Sequence, residues 1–239
     1  MIKFENTEVV GWEAAIRGLR NPKNSWDRSD SCTQGFVWCN EFCGEPKDGC
    51  DKESGLFLGP NDHKLMETLA NAGPVHAKYR RMIAVYVDIT APLYWWKEFD
   101  TYKVGTVANS CSTMHKIAAK EFDISDFSCE HLSGPTKVIL SETISLMNNY
   151  RYLFNNWDSI DDNTKNAFRV YSQKDAWWQM IQLLPSSYNQ RRTVMLNYEV
   201  LANIYPMRKN HKLDCWRDFC EWIKTLPYSE LITLEKETK

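Results

Sequence analysis

The spacing of apolar residues along this chain predicts a mostly helical protein built around a small sheet. From Glu8 to Arg20, Val9, Trp12, Ile16 and Leu19 recur at helical intervals, and Asn21-Pro22 ends the run. Between Asn24 and Gly59 the periodicity fades into a long excursion rich in Gly, Asp, Ser and Cys. Asn61 or Asp62 is then placed to cap a helix through Leu65, Met66 and Leu69, closed by Gly73-Pro74. Ile83 to Ile89 forms the best strand, and its near-continuous apolar character implies burial on both faces.

Pro92 stops that strand and opens an aromatic helix at Leu93-Tyr94-Trp95-Trp96. Val104, Val107, Cys111, Met114 and Ile117 give a further helical stripe, with Asn109, Ser112, Thr113 and Lys116 on the opposite side. Helices are expected at Val138–Phe154, Asp161–Leu184, Arg191–Tyr205 and Leu213–Leu226, with neither repeats nor low-complexity tracts. The expected class is α+β, helix-rich around a small sheet. One domain spans 1–239, with a Cys-rich insertion at about 30–58.

Composition changes this picture little. The chain has 239 residues, 43% hydrophobic and 25% charged, enough to bury a sizeable core. The net charge of −2 points to no general nucleic-acid or membrane partner, although Arg80-Arg81 and Arg191-Arg192 could serve one small anionic ligand. No apolar run approaches the roughly 20 residues of a membrane span. The opening Met1 to Asn6 lacks an apolar secretion segment, so a cytoplasmic location is expected. In that compartment the eight cysteines are thiols or metal ligands rather than disulfides. Cys32, Cys39, Cys43 and Cys50 could close on a structural zinc, although their C-x6-C-x3-C-x6-C spacing lacks tight C-x2-C pairs. The ten tryptophans and eleven tyrosines suit an aromatic-rich core, and they also suit flat-ring ligands.

The most useful constellation lies in the last third. Asn197, Leu201, Ile204 and Arg208 follow at i, i+4, i+7 and i+11, so on a helix they share one face. An amide and a guanidinium then bracket an apolar strip, which suits a planar heterocycle. On the spacing alone, a core helix with a polar residue at each end is the plainer reading, and Pro206 could bend or end it. His76 stands just before the strand, where a structural histidine is the plain alternative to a functional one. Cys111 and His115 share a face, but Cys111 falls on the apolar stripe, which points to packing. Phosphate-loop, G-x-G-x-x-G, G-x-S-x-G and H-E-x-x-H patterns are all absent.

Taken in order, these segments resemble the flavin-dependent thymidylate synthases over roughly residues 60 to 225. In that family a Gly-His element precedes a buried strand ending at Ala-Pro. Here Ala91-Pro92 ends the strand, and His76 lies sixteen residues before Pro92. Leu184-Pro185 is followed after twelve residues by Asn197 and after eleven more by Arg208, which matches the family's intervals. Asn203 falls on a further flavin-contact position, and Ser112 on that of a nucleotide-contacting serine, allowing one inserted residue. The family's Arg-His-Arg motif reads Thr101-Tyr102-Lys103 here. The Arg-Tyr after the serine reads Met114-His115, and a phosphate-gripping arginine reads Ile181.

The resemblance implies an enzyme without a protein nucleophile that converts dUMP to dTMP with FAD, NADPH and methylenetetrahydrofolate. His76, Lys103, Asn197 and Asn203 would hold the flavin, Arg208 the pyrimidine ring, and Ser112 the nucleotide. Arg191, Arg192 and Lys116 are the cations available to replace the missing phosphate contacts. It also implies a homotetramer with sites between subunits. A flavoenzyme for another pyrimidine nucleotide, and a non-catalytic nucleotide-binding relative, are the alternatives that the altered motifs leave open.

Overall fold

The structure, a computed structural model, describes residues 2–33 and 56–235. It is helix-rich, 54% helical, around a small antiparallel sheet of four strands in the order β1-β2-β4-β3. The strands are β1 (Lys3–Val10), β2 (Ala84–Pro92), β3 (Val107–Ser110) and β4 (Asn189–Asn197). The helices are α1 (Trp12–Arg20), α2 (Pro60–Asn71), α3 (Leu93–Phe99), α4 (Thr113–Lys116) and α5 (Gly134–Asn155). They continue with α6 (Asp162–Ala167), α7 (Gln173–Leu183), α8 (Tyr198–Arg208), α9 (Asp214–Lys224) and α10 (Glu230–Thr233). Close contacts divide the chain into two compact units, each drawn from three separate stretches. The first comprises 1–4, 88–101 and 108–193, and the second 5–87, 102–107 and 194–239.

The first unit is organised by α5, which packs against α7. Leu140, Ile144 and Met147 of α5 meet Met180 of α7 together with Ile117, Phe122 and Phe127. A smaller cluster of Leu153, Val170 and Ala176 lies beside it. Trp95, Trp96 and Phe99 of α3 are fully buried, and the Trp95 and Phe99 rings stack at 4.9 Å. The stretch expected to be one helix from Asp161 to Leu184 is two, α6 and α7. Arg169 adopts a positive φ of 52° between them, and Ser172 caps α7 by accepting from the Asp175 N–H.

The second unit is centred on α8, which packs against α9 and α10. Helix α9 buries Cys215, Trp216, Phe219, Cys220, Trp222 and Ile223 along one stripe. Burying rings such as Trp216 and Phe219 removes ~150–250 Å² each, or roughly 4–6 kcal/mol apiece before entropy is subtracted. Gly11 starts α1 at a φ of +95°, and a side chain there would run into the carbonyl oxygen of Met82. That close approach requires glycine.

Several expectations are corrected. Residues 8–10, expected to open the first helix, instead end an edge strand that begins at Lys3. Helix α2 is capped by Asp30, whose carboxylate accepts from the Asn61 and Asp62 N–H groups, while Asp62 itself is buried. Strand β2 buries one face only. Val85, Val87, Ile89 and Ala91 point inward, whereas Tyr86 is 40% exposed. The stripe from Val104 to Ile117 is not a helix but β3 followed by the single turn α4. The start of the expected helix at 191–205 is strand β4.

Candidate functional site

The second unit carries Arg208 and all four residues expected to hold a flavin. Strand β4 ends at Asn197, whose backbone is still extended at φ −137° and ψ 169°, and α8 begins at the next residue. Asn197 therefore stands at a strand-to-helix junction rather than on the helix face. Its Oδ1 accepts from the Val200 N–H at 3.0 Å, which caps the helix. Leu201 and Ile204 are fully buried, and Pro206 lies inside α8 without ending it, so Arg208 is the last helical residue. Proline is tolerated there because the break costs only one hydrogen bond in the final turn.

Arg208 is held on two sides. Its Nε donates to the Tyr102 hydroxyl at 2.8 Å, and the guanidinium lies 4.4 Å from the centre of the Trp216 ring. A cation over an indole gains electrostatic attraction while the ring fixes its plane. Tyr102 in turn meets Trp216 edge-on at 5.9 Å. Sequence reasoning missed both rings, although Tyr102 stands within the Thr101-Tyr102-Lys103 segment that the resemblance set against a basic motif. Lys103 next to it is exposed, as are Asn203 on α8 and His76 in the turn before the 3-10 segment at 78–82.

Gly105 approaches the junction closely. Its φ is +76°, and a Cβ there would lie 3.2 Å from Asn197 Nδ2 and 3.1 Å from Val200 Cγ2. Arg80 in the same unit is 5% exposed with its Nε and Nη2 unpartnered, whereas Arg81 is exposed. Burial pushes the nearby Tyr79 phenol up to about 12.

The first unit carries Ser112, Arg191 and Arg192. Ser112 is exposed and caps the single turn α4, its hydroxyl accepting from the His115 N–H at 3.2 Å. Both arginines are engaged by carboxylates. Arg191 Nη2 lies 2.8 Å from Asp88 Oδ2, and Arg192 Nη1 lies 2.7 Å from Asp100 Oδ1. Arg192 also donates from Nε to Gln190 and lies 4.2 Å above the Trp96 ring. Lys116 is exposed at the end of α4. Cys111 proves exposed and not packed, its N–H donating to the Arg191 carbonyl. A cavity of about 430 Å³ is lined by Met114, Ile117, Phe154 and Trp177 together with His115 and Lys174.

Of the four cysteines weighed for zinc, Cys39, Cys43 and Cys50 lie outside the described residues. Cys32 is half-buried and its backbone pairs with Phe57. Among the described residues no group of three or more His, Cys, Asp or Glu could hold a metal, and no helix is long and apolar enough to cross a membrane.

No family model matches the chain, and no curated protein does. Solved structures do. A crystal structure of the flavin-dependent thymidylate synthase ThyX from Helicobacter pylori, complexed with FAD and dUMP, aligns with a TM-score of 0.61 at 14% identity. The alignment covers 97% of this chain and 98% of that one. A second structure of the same Helicobacter pylori enzyme with FAD and dUMP gives the same TM-score and identity, covering 98% of each chain. The chain has the ThyX fold. At this identity the likeness describes the path of the backbone. The ThyX fold accounts for both the helix-rich architecture and the small antiparallel sheet.

Proposed function

We propose that this protein is a ThyX-like flavoenzyme that methylates the pyrimidine of dUMP to give dTMP. The observation that carries this reading is the full-length likeness to the Helicobacter pylori enzyme in its FAD and dUMP complex. On this reading His76, Lys103, Asn197 and Asn203 of the second unit would hold the flavin. His76, Lys103 and Asn203 present polar groups to solvent, and the Asn197 amide lies at the close approach of Gly105. When bound, FAD recharged by NADPH would supply the hydride, with methylenetetrahydrofolate as the carbon source.

The chain's own residues bind, orient and polarise. Arg208 holds the pyrimidine ring, and its positive charge biases electron density toward a ring carbonyl as C5 reacts. Tyr102 and Trp216 keep that guanidinium in one orientation, so little reorganisation is needed. Ser112 contacts the nucleotide, and Arg191 and Arg192 reach its phosphate from strand β4. The working assembly is a homotetramer in the cytoplasm.

A second reading, a flavoenzyme for a different pyrimidine, is favoured by the apolar lining of the cavity at Met114. Met114 lines that cavity, where the family pattern places an arginine, and Ile181 packs into the neighbouring core. Both β4 arginines already pair with carboxylates, so a phosphate would compete with Asp88 and Asp100.

Purified protein incubated with FAD and dialysed should retain flavin absorbance near ~450 nm. With dUMP, methylenetetrahydrofolate and NADPH it should then yield dTMP. Protein that stays colourless in excess FAD would sink both readings, whereas bound flavin without dTMP would leave the second.

A further inference from the structure

The second unit contains a cavity of about 750 Å³, walled by the end of α1, the turns at 21–28 and the first turns of α2. Its charge is one-sided. Arg20, Lys23, Arg28 and Lys64 line it, against the single carboxylate of Asp27. Lys23, Arg28 and Lys64 are exposed, and none has a carboxylate within ion-pair distance among the described residues. Cations gathered on a concave wall raise the local concentration of anions.

Arg20 is a different kind of residue, only 4% exposed. Its Nε lies 2.6 Å from Asp62 Oδ1 and its Nη1 donates to the Ser25 carbonyl at 3.2 Å, but Nη2 has no partner. Asp62 cannot serve it. The other carboxylate oxygen already accepts from the Ser29 and Ser31 hydroxyls and the Asp30 and Ser31 N–H groups. Arg20, anchored on two of its nitrogens with the third buried and unpartnered, thus stands at the wall of a cationic cavity.

We infer that this cavity binds a phosphate-bearing polyanion, such as a free polyphosphate or the phosphate chain of a nucleotide. Arg20 is the buried anchor, and Lys23, Arg28 and Lys64 are the outer clamp. A single carboxylate would leave most of the three exposed cations unmatched, whereas linked phosphates match several. The residues are distinct from those assigned to flavin and pyrimidine, so the inference stands apart from the proposed reaction.

The test is calorimetric titration of the full chain with tripolyphosphate, with a nucleoside triphosphate and with the bare nucleoside. Tripolyphosphate should bind with a dissociation constant below about 1 mM, weakening as salt rises. The double variant Lys23→Glu, Lys64→Glu changes exposed residues only and should weaken binding at least about tenfold. Its circular dichroism and flavin absorbance should match the parent's. Equal affinity for tripolyphosphate and the nucleoside triphosphate would assign recognition to the phosphates alone. Tighter binding of the nucleotide would add contacts to its base. No heat with tripolyphosphate at about 10 mM, or an undiminished affinity in the double variant, would overturn the inference whatever the flavin result.

Discussion

Arg208 and Tyr102, more than one hundred residues apart in sequence, meet through a hydrogen bond of 2.8 Å from guanidinium Nε to phenol oxygen. Tyr102 thus occupies a position from which it steadies the cation at the end of α8. A lysine at 208 would keep the charge but lose both the Nε donor and the flat face against Trp216. Arg208→Lys should therefore keep the fold and bound flavin while lowering kcat on the order of 100-fold, or about 2.7 kcal/mol. Tyr102→Phe should cost less, about tenfold. Steady-state kinetics with dUMP would check both, and parental turnover in Arg208→Lys would refute this role.

Asn197 has two tasks that substitution can separate. Its Oδ1 caps α8, and its Nδ2 is the group available to a ligand. Asn197→Ala should lose about 1 kcal/mol of stability with the cap. Asn197→Asp keeps an acceptor for the Val200 N–H and should hold the parental urea midpoint, yet bind flavin more weakly. Equal flavin affinity in Asn197→Asp and parent would mean that the residue is only a cap.

His63 ties α2 to α10, with Nε2 2.7 Å from Glu230 Oε1 and Nδ1 3.7 Å from Glu67 Oε2. The bond to Glu230 raises the imidazole above its usual 6.5, against the opposing effect of burial, and the charges of Glu230 and Glu67 add to the rise. A raised folded value means the stabilisation is complete below about 6.5. It is lost as pH climbs through the folded value. Urea midpoints should accordingly fall from pH 6 to pH 8, and His63→Gln should flatten that slope. A parental slope in His63→Gln would point to another titrating group.

Asp62 has no exposed surface and faces Arg20. Desolvation acts to raise its carboxyl, but the bonds from Ser31, Ser29 and Arg20 outweigh it and hold the carboxyl below 3.8. Its contribution is therefore present above about 3.9, the ordinary aspartate value, and disappears as pH falls through the folded value. Asp62→Asn would strand a buried guanidinium and should cost about 3–5 kcal/mol. Denaturant unfolding at pH 7 checks this, and a loss under about 1 kcal/mol would mean that Arg20 finds another acceptor.

The chain displays its fold unevenly. Helices α5 and α9 are legible because Leu140, Ile144 and Met147, like Trp216, Phe219 and Ile223, keep the helical period on faces that really are buried. The stripe through Val107, Cys111 and Met114 has the same period but no buried face. Val107 is 61% and Met114 46% exposed, and pairing of β3 with β4 decides the structure instead. Strand β4 had a usable signal, since Gln190, Val194 and Leu196 alternate inward. Its two adjacent arginines hid that period behind a helical one. Edge strand β1 is too polar to announce itself. In the candidate site, the interval from Asn197 to Arg208 could be counted along the chain. The rings that hold Arg208 could not, because Tyr102 comes from a distant segment and Trp216 from the next helix, whose turn back onto Arg208 no periodicity shows.

The two compact units are interleaved along the chain, each assembled from three stretches. Neither can be released by trimming an end or by one proteolytic nick, because any single cut leaves pieces of both on each side or strands a fragment. A gene crossover that exchanged one unit intact would have to replace several segments at once. Any single crossover that parts the serine-bearing turn from the arginine-bearing helix therefore divides the second unit, leaving two of its stretches with one parent and the third with the other.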